Sequence, residues 1–107
     1  MTDFNDRERA EETKFVRDED FQFRVSARRN RLLGAWAAEQ MGLSPAETES
    51  YSKAVVQADF EEAGDEDVIR KLLGDLISAG VEVTDADIRA ALDAKTVEAR
   101  RALMGEA

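Results

Sequence analysis

Four arginines, Arg24, Arg28, Arg29 and Arg31, cluster just ahead of the only tryptophan, Trp36, in a chain that is otherwise acidic. A guanidinium is permanently charged and offers its donors in a planar fork. Such a cluster therefore grips carboxylates and polar surfaces and does not move protons. Two uses stay open from the residues alone: docking onto an acidic or polar partner, or pairing with acids of the same domain. The chain has no Cys and no His, which leaves no disulfide, thiol nucleophile, Cys/His zinc site or imidazole base. Its 24 Asp and Glu are the remaining chemical material, and dense charge on a small helical protein is ordinarily a solvated face. No nucleophile is paired with a base, so an enzyme is the least supported reading.

Asp59-Phe60-Glu61-Glu62-Ala63-Gly64-Asp65-Glu66-Asp67 invites comparison with a calcium loop, because Gly64 falls sixth when Asp59 is counted first. The comparison fails: Ala63 stands at a ligand position, and Arg70 stands where a bidentate Glu is required. A capped turn between helices fits better, and no metal is expected. None of the six glycines falls in the spacing of a phosphate-cradling loop.

Charge is distributed unevenly. Residues 1–20 hold 8 acids and 4 bases, residues 21–40 hold 1 acid and 4 bases, and the remainder holds 15 acids and 7 bases, for a net charge of -9. Such a chain repels phosphate nearly everywhere except along its one basic helix, which argues against nucleic-acid binding. A length of 107 residues with 43% hydrophobic content suits a single small domain. No apolar run approaches the roughly 20 residues of a membrane span, and the acidic start Met1-Thr2-Asp3 is unlike a signal peptide. The expectation is a cytoplasmic protein, monomeric when free.

The hydrophobic periodicity predicts four helices and no strand, an all-α four-helix bundle. The first core helix is expected from about Asp20 to Met41, with Phe21, Val25, Leu32, Leu33, Trp36, Ala37 and Met41 at helical spacing and Gly42 just past its end. Ser44-Pro45-Ala46-Glu47 is a capping box with proline at the first helical position. It opens a second helix whose expected apolar stripe is Tyr51, Ala54, Val55 and Ala58, ended by Gly64. A third helix begins near Asp65 and carries the richest apolar face, Val68, Ile69, Leu72, Leu73, Leu76 and Ile77. It is therefore expected at the centre of the core, with Gly80 at its end. Thr84 and Asp87 open the fourth, where Val83 can staple onto Ile88 and Ile88, Leu92, Ala99 and Leu103 face inward.

Residues 1–18 differ. Phe4 and Phe15 lie eleven apart and share a helical face, but Glu8, Glu11 and Glu12 fill most of the positions between. Their pairs with Arg7, Arg9 and Lys14 are worth a few tenths of a kcal/mol each, about what an isolated helix needs to stay marginal. An arm over residues 1–19, frayed or disordered when free and helical on a surface, is expected ahead of a four-helix domain over 20–107.

Asp6-Arg7-Glu8 with Lys14-Phe15, the block Ala27-Arg28-Arg29-Asn30-Arg31-Leu32-Leu33-Gly34-Ala35-Trp36-Ala37-Ala38, the block from Ala58 to Val68, and Gly80-Val81 leading into Thr84-Asp85 together resemble one family. It is the zeta subunit of alphaproteobacterial F-type ATP synthases, an inhibitor of ATP hydrolysis. The resemblance covers nearly the whole length in the same order. It implies a four-helix bundle whose arm, with Phe4, Arg7, Glu8, Arg9, Glu11, Lys14 and Phe15 at its contacts, enters the catalytic interface between alpha, beta and gamma subunits and blocks hydrolytic rotation. Arg24, Arg28, Arg29 and Arg31 then serve partner docking. The resemblance also implies peripheral attachment to the inner membrane through the synthase and, in some members, weak adenine-nucleotide binding, for which this sequence offers no motif of its own. Two positions depart from the family pattern: Ala63 stands where many members have Pro, and Glu11 where many have an apolar residue. The rival is a small helical protein-binding or nucleotide-sensing module without inhibitory activity.

Overall fold

Glycines and capping side chains set where the helices start and stop. A computed structural model describes the backbone of residues 2–59 and 64–106 and the side chains of residues 19–59 and 64–105. Its elements are α1 (Thr2–Met41), α2 (Pro45–Asp59), α3 (Glu66–Ser78) and α4 (Asp85–Glu106), with no strand among the described residues. Gly42 and Gly80 take φ of 71° and 81° just beyond α1 and α3, a left-handed conformation that glycine adopts without steric cost. Each completes a Schellman motif. Leu43 N donates to Ala38 O at 3.0 Å and Gly42 N to Glu39 O at 3.1 Å, and the same pattern recurs with Val81 to Leu76 and Gly80 to Ile77.

Both predicted capping boxes form. Ser44 N donates to Glu47 Oε1 at 3.0 Å while Glu47 N donates to Ser44 Oγ at 3.2 Å. Thr84 N and Asp87 N make the equivalent exchange at 2.9 and 3.1 Å. The backbone N–H of Ser44, then its hydroxyl, hold the Glu47 carboxyl below its ordinary range. Helix α3 begins where expected, next to Asp65. Asp65 precedes the helix but makes no side-chain cap, because its carboxylate is drawn to Arg29 instead.

Among the described residues nine buried side chains form one cluster, Leu33 and Ala37 from α1, Val55 from α2, Val68, Ile69, Leu72 and Leu76 from α3, and Ile88 and Leu92 from α4, and Val25, Ala38 and Ala99 are buried beyond it. Trp36, Tyr51, Leu73, Val81 and Val83 pack against it from partly exposed positions. The third helix does supply the largest share, yet it is not the centre. Helix α1 packs against each of the other three, whereas α2 and α4 make no contact with one another among the described residues. The bundle is therefore built on α1 as a spine, with α2 and α4 on separate flanks and α3 closing across both.

Two expected core positions are exposed. Ala54 faces out because the inward edge of α2 is centred on Ser52 and Val55. Gly34 makes that rotation necessary: a Cβ placed on it would stand 2.8 Å from Ser52 Cα, so α1 and α2 meet backbone to backbone at this crossing. Ile77 is also exposed, at the last turn of α3 beside exposed Ser78, Ala79 and Gly80.

Polar bridges tie the flanks to α3. Tyr51 Oη donates to Asp75 Oδ2 at 2.7 Å, Lys71 Nζ donates to the same oxygen at 3.1 Å, and the ammonium lies 5.2 Å from the Tyr51 ring centre. On the other side Arg89 of α4 donates to Glu66 Oε2 at 2.9 Å and also holds Asp85. Helix α1, expected from about Asp20, begins instead at Thr2 and runs without a break across residues 19 and 20. The arm and the basic cluster thus share one helix.

Candidate functional site

The four arginines of α1 do not act as one group. Arg24, Arg28 and Arg31 recur at i, i+4 and i+7 and so share a face, while Arg29 is turned about 100° from Arg28 by the helical repeat. The three flank an open groove of about 440 Å³ between α1 and α4, whose other walls are Phe23, Ala27 and Leu103. Arg24 and Arg31 are exposed and Arg28 is half-buried. Arg24 Nε lies 3.2 Å from Asp20 Oδ2, one turn earlier on the same exposed surface, a pair too solvated to hold it tightly. Phe23 stands 57% exposed beside them. Guanidinium groups around a partly exposed aromatic ring form a surface suited to a polar or acidic protein partner.

Arg29 points the other way and is 6% exposed. Its Nη2 lies 2.9 Å from Asp65 Oδ1 and 3.9 Å from Asp59 Oδ1. Nε and Nη2 also donate to Asn30 Oδ1 at 3.1 and 3.0 Å. Arg29 thus fastens α1 to the end of α2 and the start of α3. Of the two uses the sequence left open, Arg29 takes internal pairing, and its burial removes it from the exposed basic face.

Asp59 and Asp65, the first and seventh members of the calcium-like stretch, converge on that guanidinium. Phe60, Glu61, Glu62 and Ala63 lie outside the described residues, and among the described residues no group of three or more ligating side chains could hold a metal. A second open groove, of about 610 Å³, runs between α1 and α2. Arg31, Glu39 and Glu49 stand on it with Ala35, Leu43 and Pro45, a mixed-charge surface with no convergent catalytic groups.

The side chains of the arm positions Phe4, Arg7, Glu8, Arg9, Glu11, Lys14 and Phe15 lie outside the described residues. Sequence reasoning missed two buried polar residues, Asn30 and Ser52. The signal for Asn30 was its place beside Arg29, whose inward turn the i, i+4, i+7 spacing of the other arginines already implied. Ser52 gave a fainter signal, lying three residues before Val55 and opposite Gly34.

The family model for ATPase inhibitor subunit zeta matches residues 1–102 of this chain. A protein structure solved by solution NMR is 46% identical in sequence, with a TM-score of 0.70, covering 80% of this chain and 98% of that one. No curated protein matches the chain.

Proposed function

The chain belongs to the ATPase inhibitor subunit zeta family, and on that premise we propose that it inhibits ATP hydrolysis by the F-type ATP synthase through its N-terminal arm. The arm, residues 1–19, folds as a helix in the catalytic interface between the alpha, beta and gamma subunits and blocks rotation in the hydrolytic direction. The domain over 20–107 docks beside it through Arg24, Arg28 and Arg31. The site of action is cytoplasmic, at the inner membrane only through the synthase. No described helix is long and apolar enough to cross a membrane.

The observation that carries this reading is the extent of the family match, which takes in the arm as well as the bundle. Physical chemistry gives the arm its part. Phe4 and Phe15 are three helical turns apart on one face, and the charges between them support a helix without supplying a core. Such a segment has little of its own to hold a helix together, and a partner surface supplies the burial it lacks. Because α1 is one helix from arm to basic face, docking through the arginines sets the direction in which the arm enters.

Deletion of residues 1–18 tests the reading. The truncated protein is expected to keep its thermal midpoint, since every core residue found among the described side chains is retained, and to lose inhibition of ATP hydrolysis. Full inhibition by the truncated protein would refute the arm as the inhibitory element.

A further inference from the structure

Asn30 carries an amide that the fold leaves half used. The residue is 1% exposed. Its Oδ1 accepts from Arg29 Nε and Nη2, which fixes the orientation of the amide, because turning it over would set Nδ2 donors against guanidinium donors. Nδ2 is left buried with no partner among the described residues. A buried donor without an acceptor is costly enough that native proteins rarely tolerate one.

The same residue lines a small, partly enclosed cavity of about 20 Å³ between α1 and α2, with Phe23, Ser26, Ala27, Val56 and Asp59. A site needs roughly 10–15 Å³ to hold one water, together with two to four polar partners. Size and lining both meet that condition. Nδ2 supplies a donor, the Asp59 carboxylate an acceptor, and the Ser26 hydroxyl can act as either. We propose that this cavity binds a single long-lived water molecule, which accepts from Asn30 Nδ2 and donates to Asp59. The water extends the Arg29–Asp65 network into the crossing of α1 and α2. It ties Asn30 and Asp59 across the two helices next to Phe23, at the root of the basic face.

Water–protein cross-relaxation by NMR on the full chain is the test. A cross-peak of the sign given by a long-lived water is expected from the solvent resonance to the Asn30 side-chain amide protons. It should persist in Ser26→Ala, which removes the one lining hydroxyl able to relay exchange. It should disappear in Val56→Ile, where an added methylene fills the cavity, and that variant should melt at a lower temperature because Nδ2 is stranded. Absence of the cross-peak in the unaltered protein would overturn the proposal, as would its loss in Ser26→Ala. A dry cavity would also show itself in Val56→Ile, as a higher melting temperature from a filled void.

Discussion

Arg29 Nη2 sits 2.9 Å from Asp65 Oδ1, across 36 residues of sequence, and this pair turns Arg29 away from the exposed part of the basic cluster. Arg29→Gln would leave Asp59 and Asp65 facing one another without a cation. Breaking a fully buried pair costs about 3–5 kcal/mol. The Asp65 side chain is 46% exposed, so the loss here should be closer to about 1.5–3 kcal/mol, the range of a hydrogen bond to a charged group. Thermal denaturation should register it as a fall of several degrees in Tm. Arg24→Gln with Arg31→Gln should leave Tm unchanged, weaken binding to the synthase and flatten its salt dependence. If the outer pair of substitutions unfolded the protein and Arg29→Gln did not, the division of roles would be reversed.

Gly34 should resist even the smallest enlargement. In an open helix, Gly→Ala gains about 1 kcal/mol from propensity. Here the new methyl would meet Ser52 Cα at 2.8 Å and Val55 Cγ2 at 3.2 Å, so backbone must move. Overpacking of this kind costs about 1–3 kcal/mol. Gly34→Ala is expected to lower the free energy of unfolding in a denaturant titration, whereas Gly74→Ala, where nothing lies within 4 Å of the added methyl, is expected to raise it.

Tyr51 gives the bundle an alkaline limit. Burial first, and then the hydrogen bond to Asp75 and its charge, push the phenol well above its ordinary value near 10. A phenol raised in the folded state stabilises fully below the unfolded pKa, and that contribution is lost as pH climbs from about 10 toward the folded value. Tyr51→Phe should remove about 1 kcal/mol at neutral pH by deleting the bond to Asp75. It should also flatten the fall in stability above pH 10, as read by urea denaturation at a series of pH values. An unchanged alkaline slope in Tyr51→Phe would assign the limit to other groups.

Most helix ends were legible because their signals are local. Ser44 with Glu47, Thr84 with Asp87, and the glycines at 42 and 80 act on residues within five positions of themselves. The division among the arginines was half legible: the helical repeat separates Arg29 from Arg24, Arg28 and Arg31, but only the approach of Asp59 and Asp65 shows what it faces. The pairing of Asp65 was not legible, because its partner lies 36 residues away. The rotation of α2 was hidden for the same reason, since Ala54 and Ser52 exchange their expected roles through contact with Gly34 on another helix. Likewise α3 has the richest apolar face without being the spine, because centrality depends on packing partners and not on composition.

The last expectation concerns pH and the inhibitor's action. The chain contains no His, so no side chain has an ordinary pKa between 6 and 8. The shifts that the fold imposes point away from that interval. Arg89 bonding holds Glu66 below the ordinary carboxylate range, as the Ser44 N–H does for Glu47. For these lowered carboxylates, stability is present above their unfolded value near 4.3 and is lost as pH falls through the folded one. Tyr51 is pushed upward, so its limb lies above 10. Acid and alkaline limits therefore both fall outside pH 6–8. With the enzyme's own pH profile subtracted, the inhibition constant measured at fixed ionic strength should vary by less than tenfold, about 1.4 kcal/mol, across that interval. A larger change that followed the inhibitor would mean that a carboxylate of this chain becomes buried on binding and titrates near neutrality. Substituting the arm acids Glu8 and Glu11 by Gln, one at a time, would then identify which carboxylate carries the shift.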